Sequence, residues 1–236
     1  LDHLFCLFPF EPPYFEAEGL SAQFVGHPMA EQSVSGIEKD PGSLLLLPGS
    51  RMNEVRQLVP LFRETVALLS AEQKGLRCVV PTVETTRAFV TKTMANWPTP
   101  VEFLFRPEDK ATAFAQSAVG LAASGTVALE LAKFGVAGVI TYRLAESTFR
   151  SLRRQSKLNH FSLINILADT EVMPERVQDQ AKAEVLAPEL LRLLTEEEAR
   201  SRQVTLQNQA LTKLTLPEGQ STATLVAEKL AELLPD

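Results

Sequence analysis

The sequence predicts an α/β fold with a mostly parallel, doubly wound, Rossmann-like sheet and a helical C-terminal tail. Three observations predict it: short apolar runs recur up to residue 142, segments of helix length separate most of them, and helical patterns fill the remainder. Strands that are joined by helix-length connections need crossovers, and crossovers make neighbouring strands parallel.

The predicted strands are seven buried apolar runs. They lie at 3–8, 21–25, 43–47, 76–80, 101–105, 117–123 and 136–142. A long helix is predicted around Leu58, Phe62 and Leu69, and Pro60 is expected to kink it or to begin a second short helix.

Further helices are predicted at 83–97 and 126–134 and, after residue 143, near 181–194, 196–214 and 221–234. Thr195 and Glu198 have the spacing of a capping box, and Ser221 is a predicted N-cap. The polar segment 28–42 is the predicted linker. Residue 1 is Leu and an apolar run follows almost at once, so the start is interpreted as a cut through a longer protein.

Composition restricts the function classes. A net charge of -6 over 236 residues argues against nucleic acid as a partner. Cys6 and Cys78 lie in apolar runs, where buried thiols in a reducing cytoplasm are expected rather than a disulfide. No apolar run approaches the roughly 18 residues of a membrane span.

Two loops that follow predicted strands carry groups suited to an anion. Pro48-Gly49-Ser50-Arg51 offers a tight turn, a hydroxyl and a guanidinium whose planar donors match phosphate oxygens. An ordinary turn with a solvated arginine explains the same residues equally well. In a parallel sheet, ligands bind beyond the carboxyl ends of strands, which favours the anion site.

The second loop is Ser124-Gly125-Thr126, which opens a predicted helix whose backbone N–H groups and hydroxyls can receive an anion. Glu130 lies one turn further on, where it can accept hydrogen bonds from a ribose diol. An N-cap followed by an exposed glutamate is the alternative.

Other chemistries lack their sequence signals. The chain contains neither a G-x-G-x-x-G dinucleotide motif nor a Walker loop. His3, His27 and His160 do not have metal-ligand spacing, and no Asp-x-Asp pair is present. We therefore expect neither a metal nor a cofactor.

Six segments together resemble the lipid A disaccharide synthase family. They are LFPFEPPYF at 7–15, FVGHP at 24–28, LLLLPGSR at 44–51, ASGTVALELA at 123–132, TYR at 141–143 and SLINILADTEVMPERVQ at 162–178. The resemblance implies a two-domain GT-B glycosyltransferase that moves diacylglucosamine from its UDP derivative to diacylglucosamine 1-phosphate without a metal, releasing UDP.

The resemblance also implies the domain organisation. Residues 1–27 would be a remnant of the N-terminal domain that ends in a hinge, residues 28–236 the UDP-sugar-binding domain, and 221–236 a helix that crosses back to the missing domain. The catalytic base is expected in the missing half, with Glu11 as a weak candidate in this chain. The fragment alone is therefore expected to bind UDP but to be inactive.

Site residues are carried over by position. The UDP-sugar contacts implied are Gly49, Ser50, Arg51, Ser124, Gly125, Thr126, Glu130, Arg143, Asn165 and Gln178. The chain departs from the family pattern at Ile164, where a proline is usual, and at Asp169 and Thr170, where glycine and arginine are usual.

A basic stretch at 149–157 is either a solvated helix face or a contact with anionic lipid. The predicted membrane contacts are Phe149, Arg150, Arg153 and Arg154. The resemblance implies a cytoplasmic enzyme, peripheral on the inner face of the inner membrane, and leaves its oligomeric state open. The alternatives are a UDP-N-acetylglucosamine 2-epimerase, a peptidoglycan N-acetylglucosaminyltransferase, or a non-catalytic nucleotide-binding domain.

Overall fold

A computed structural model describes residues 1–30, 38–123, 125–144, 149–150 and 159–233. In these residues the main sheet has six parallel strands in the order β5-β4-β3-β6-β7-β8. Its strands are β3 (Asp40–Leu47), β4 (Arg77–Pro81), β5 (Val101–Leu104), β6 (Ser117–Ala123), β7 (Ala137–Tyr142) and β8 (Glu175–Val177). The predicted doubly wound fold class is confirmed.

Helices cover both faces of this sheet. In chain order the described helices are α1 (Pro12–Glu16), α2 (Met52–Glu72), α3 (Glu84–Met94), α4 (Pro107–Gln116), α5 (Val127–Lys133), α6 (Leu163–Ala168), α7 (Ala183–Thr195), α8 (Glu197–Leu211) and α9 (Thr222–Leu233). Short 3-10 helices follow β8 at Gln178–Gln180 and α8 at Thr212–Leu214.

Strand β3 shows why the sheet is buried on both faces. Its four consecutive leucines alternate between two cores, because successive side chains of a strand point to opposite faces. Leu44 and Leu46 pack in the cluster formed with α2 and α7. Leu45 and Leu47 pack in the cluster formed with α4, α5 and α6. An uninterrupted apolar run is what a central strand between two helical layers requires.

The capping-box prediction was wrong, and so was one of the two alternatives predicted for Pro60. Helix α2 runs from Met52 to Glu72 with Pro60 inside it, so no second helix begins there. Thr195 is the last residue of α7 and its hydroxyl donates to the Leu191 carbonyl, so it does not cap α8. Ser221 was predicted correctly, since its Oγ accepts from the Thr224 N–H 3.1 Å away at the start of α9.

The first residues form a separate two-stranded parallel sheet, β1 (Leu4–Cys6) and β2 (Ala22–Phe24). The segment between them packs on the main domain, where Phe8 and Phe10 stack with their ring centroids 5.3 Å apart against the Leu45 cluster. At the other end of the chain, none of the described residues of α9 is buried.

Candidate functional site

An open cleft of about 740 Å³ lies beyond the carboxyl ends of β3, β4, β5 and β6. The loops after these four strands supply its walls, which is where ligands bind in open parallel sheets. The predicted anion-binding residues Arg51 and Thr126 both line it. They share one cleft because β3 and β6, the strands before their loops, are hydrogen-bonded neighbours in the sheet.

The turn at Gly49 requires a residue without a side chain. Its φ is +104°, in a region that residues with a Cβ rarely adopt. A Cβ placed there would lie 2.6 Å from Oε2 of Glu54. The carboxylate of Glu54 therefore packs directly against the turn, and Gly49 leaves room for it.

Arg51 is held at the mouth of the cleft and remains open to solvent. Its side chain is 80% exposed, and its Nη1 lies 3.0 Å from Oε1 of Glu54. The hydroxyl of Tyr142 donates to the same oxygen at 3.2 Å. Burial raises the pKa of Tyr142, and the negative charge of Glu54 adds to the effect, so this hydroxyl stays protonated as a donor. The guanidinium of Arg51 has five N–H donors, and those that Glu54 does not engage are free to bind a second anion.

Gly125 and Thr126 line the same cleft, as does Ser50 next to Arg51 in the chain. Gly125 has φ +140°, and apart from the glycine and its two neighbours no atom of the described residues lies within 4 Å of the position of an added Cβ. The backbone before α5 thus borders open space. Ser124, the first residue of the predicted loop, lies outside the described residues.

Glu130 reaches the cleft from the first turn of α5 and is paired there. Its Oε2 lies 2.7 Å from Nζ of Lys110, a residue of α4 that also lines the cleft. Nζ of Lys110 lies 5.4 Å from the centroid of the Phe114 ring. The carboxylate that was predicted to meet a ribose is therefore positioned by a neighbouring cation.

A smaller cleft of about 220 Å³ adjoins the first, because Arg51 and Glu54 line both. Gln178 lies in this second cleft, where its side-chain amide accepts from the Leu144 N–H at 2.6 Å and donates to the Leu144 carbonyl at 3.2 Å. Arg143 lines neither cleft, and its guanidinium donates to the Ala181 carbonyl. Both predicted contact residues thus connect the chain after β7 to the chain after β8.

Asn165 is not at the cleft surface where it was expected. It is fully buried, and its Nδ2 donates to the Met173 carbonyl at 2.7 Å and to Glu175 Oε1 at 2.8 Å. Its Oδ1 accepts from the N–H groups of Val172 and Met173 at 2.8 and 2.9 Å. Every hydrogen-bonding direction of the amide is used inside the protein.

Glu175 completes the same buried network at the start of α6. Its carboxylate accepts from the backbone N–H groups of Phe161 and Ser162 and from the Ser162 hydroxyl. A carboxylate at a helix start is favoured by the helix dipole and by the free N–H groups there. At the other end of α6, Asp169 stands in place of the family's usual glycine with φ +59°.

Of the remaining predicted residues that the structure describes, Phe149 lines the smaller cleft, and Glu11 and Arg150 line neither cleft. The carboxylate of Glu11 accepts from the Phe8 N–H at 3.0 Å. Phe149 stacks on Phe161, which is 40% exposed, with centroids 5.9 Å apart, and Arg150 is also exposed. Arg153 and Arg154 are outside the described residues.

Several polar residues at the clefts were not predicted from sequence, among them Glu54, Lys110 and Tyr142. Glu54 carries a local signal, because a carboxylate three residues after Arg51 at a helix start can pair with it. Lys110 carries none, because its pairing depends on how α4 packs beside α5. Tyr142 was noted only within a family motif.

No group of three or more His, Cys, Asp or Glu side chains among the described residues is arranged to hold a metal ion. Nor does any described helix combine the length and apolarity that a membrane crossing needs.

Comparison with known proteins identifies relatives along almost the whole chain. The family model for lipid-A-disaccharide synthetase matches residues 1–229. The lipid-A-disaccharide synthase of Rhodospirillum centenum is 42% identical over 215 residues, which are 86% of this chain and 54% of the relative. The enzyme of that name from Paramagnetospirillum magneticum is 42% identical over 229 residues, 92% of this chain and 58% of its own length. The chain thus spans little more than half of these relatives.

Among solved structures, the chain is similar to the UDP-GlcNAc 2-epimerase of Neisseria meningitidis bound to UDP-GlcNAc. The TM-score is 0.65 at 10% identity, and the match covers 97% of this chain and 61% of the epimerase. At that identity the likeness concerns the fold alone, which is one half of a GT-B architecture.

Proposed function

Because this chain belongs to the lipid-A-disaccharide synthase family, we propose that it is the UDP-holding part of a glycosyltransferase. The complete protein would transfer diacylglucosamine from UDP-diacylglucosamine to diacylglucosamine 1-phosphate, with inversion, and release UDP. The observation that carries the proposal is the single cleft that Arg51, Gly125 and Thr126 all line.

The diphosphate would bind between these two loops. Arg51 offers a planar pair of donors, and its side chain is 80% exposed although Nη1 pairs with Glu54. Ser50, Thr126 and the backbone beside Gly49 and Gly125 would supply further donors. When the glycosidic bond breaks, negative charge develops on the departing UDP, and preorganised donors of this kind stabilise it without a cation.

The ribose would lie against Glu130 on the same wall of the cleft, since a carboxylate can accept from both hydroxyls of a diol. The sugar end of the donor would extend past Arg51 toward Gln178, because the smaller cleft continues from that guanidinium. In a nucleotide sugar the diphosphate joins the nucleoside to the sugar. Arg51 lines both clefts, so a diphosphate bound to it would have the nucleoside in the larger cleft and the sugar in the smaller one.

The acceptor site and the catalytic base would come from the part of the protein that the relatives have and this chain lacks. Residues 1–27 would belong to that other domain, and α9, which has no buried residue in the structure, would pack against it. The chain by itself would therefore bind UDP and transfer nothing.

Isothermal titration calorimetry with UDP tests the proposal. Arg51→Ala is expected to lose about 1.5–3 kcal/mol of binding free energy, as for a hydrogen bond to a charged group. Arg63→Ala, which removes an exposed arginine of α2 outside the cleft, is the matched control and is expected to bind as the unaltered chain does. UDP binding that is absent, or equal in the two variants, would overturn the proposal.

A donor screen separates this function from the related ones. The leading proposal predicts that UDP-diacylglucosamine competes with UDP more strongly than UDP-N-acetylglucosamine does. A preference for the unacylated donor would favour an epimerase or a peptidoglycan glycosyltransferase. An in-frame Rossmann-like half encoded upstream would exclude the alternative that the chain is a stand-alone, non-catalytic nucleotide-binding domain.

The proposal extends to a peripheral position on the inner face of the inner membrane, because both substrates carry acyl chains. Phe149 and Phe161 present a stacked aromatic pair next to exposed Arg150, a combination suited to an anionic lipid surface. Replacing Arg150, Arg153 and Arg154 by Ala should reduce binding to anionic vesicles. Binding that is absent in the unaltered chain, or insensitive to salt, would refute this part.

A further inference from the structure

Lys110 contacts the one carboxylate that the proposed function assigns to the ribose. It projects from α4 and Glu130 from α5, two helices on the same face of the sheet, and their side chains meet in the large cleft with Nζ 2.7 Å from Oε2. The Glu130 side chain is 29% exposed and that of Lys110 45%, so the pair borders solvent inside the cleft.

The surroundings of Lys110 favour this single pairing. Arg106, the neighbouring cation on the cleft wall, is committed to Asp109 through two hydrogen bonds of 2.8 Å. The Lys110 ammonium also lies 5.4 Å from the Phe114 ring centroid, within reach of a cation–π attraction. The lysine is thus restrained from two sides, and it restrains Glu130 in turn.

An exposed ion pair contributes little to the stability of a protein, so stabilisation of the fold does not explain why this pair lies in the cleft. Its geometric effect is larger. A glutamate side chain has several rotatable bonds, and a ligand that binds it must order them. A carboxylate has about four acceptor positions, and Lys110 contacts one oxygen, which leaves capacity for two hydroxyl donors.

We propose that Lys110 is a positioning residue for nucleoside recognition: by fixing Glu130, it makes the cleft select a ribonucleotide over a 2′-deoxyribonucleotide. The inference rests on the proposed function, since it assumes that UDP occupies this cleft. Lys110 would act through Glu130 and determine whether a nucleoside diphosphate with ribose or with 2′-deoxyribose binds more tightly.

The test compares the dissociation constants of UDP and 2′-deoxy-UDP by calorimetry. The unaltered chain is expected to prefer UDP by about tenfold, the effect of one hydrogen bond to a charged group. Lys110→Met should reduce this preference to about threefold or less, because Glu130 is no longer held. Lys110→Arg, which keeps a cation in reach, should restore most of it.

Lys92→Met is the matched control, because Lys92 is exposed on α3 and does not line the cleft. It should keep the full preference. Far-ultraviolet circular dichroism confirms that each variant is folded. The ratio of the two constants is the informative quantity, since a purely structural defect weakens both nucleotides together.

Each other outcome overturns something distinct. If the unaltered chain does not bind UDP, the proposed function fails. If it binds both nucleotides equally well, the cleft does not read the 2′-hydroxyl and the inference fails while the diphosphate site stands. If Lys110→Met weakens both nucleotides but keeps their ratio, Lys110 contacts phosphate and is not a positioning residue.

Discussion

Replacing Asn165 by Ala tests whether this asparagine stabilises the fold or contacts the nucleotide. The resemblance to the family implies that this asparagine lies near the pyrophosphate. The structure gives its amide four partners instead: the N–H groups of Val172 and Met173, the Met173 carbonyl and the Glu175 carboxylate, all within 2.9 Å. Alanine would leave all four groups without this partner at a fully buried site.

The expected cost follows from the N–H and the carbonyl of Met173, because the Val172 N–H still donates to the Thr170 carbonyl and the Glu175 carboxylate still accepts from Phe161 and Ser162. A buried polar group that loses its partner costs about 1–3 kcal/mol. Water entering the vacated space would satisfy part of the set, so we take the lower limit of about 1 kcal/mol for each group. The sum for these two groups is about 2 kcal/mol, a sizeable fraction of the roughly 5–15 kcal/mol by which a domain is stable.

Urea unfolding followed by the fluorescence of Trp97, the single tryptophan, measures this free energy. Asn208→Ala, at an exposed position of α8, is the control and should change it by less than about 0.5 kcal/mol. The reasoning would be refuted if Asn165→Ala unfolded at the same urea concentration as the unaltered chain but bound UDP at least tenfold more weakly. Asn165 would then act on the ligand.

Three further predictions concern stability and reactivity. Asp169→Gly should stabilise the fold by about 0.5 kcal/mol and so raise the thermal unfolding midpoint, because a backbone φ of +59° favours glycine. A lower midpoint would contradict this. Burial lowers the pKa of Lys39 from 10.5 to about 8, so between these pH values the unfolded chain binds more protons and stability should rise with pH. Urea titrations should show that Lys39→Met flattens this rise, and an equal rise in both proteins would refute the assignment. Burial raises the pKa of the Cys78 thiol to about 12, so a thiol reagent should modify it only as fast as the protein unfolds, and rapid modification of the folded chain would contradict that.

The sheet was predictable because its central strands are apolar on both faces. The leucines of β3 and the run 117–123 have no alternative but burial between two helical layers. Strand β8 was missed, since Glu175–Val177 has only three residues and begins with a charged one. Its place in the sheet depends on pairing with β7, which no local pattern records.

The cleft was predictable to the extent that topology determines it. The two loops after 43–47 and 117–123 were expected together because the carboxyl ends of parallel strands share one edge. The partners of their side chains were not predictable: Glu130 meets Lys110 only through the packing of α4 beside α5. Sequence also could not distinguish a buried amide such as Asn165 from one that faces a ligand, because both are asparagines that follow an apolar run.

A crystal structure of the chain with UDP tests the nucleotide site most directly. We predict phosphate oxygens within about 3.5 Å of the Arg51 guanidinium and of a hydrogen-bond donor at Gly125 or Thr126 in the same molecule. A nucleotide bound elsewhere, with Arg51 still paired only to Glu54, would contradict the proposal.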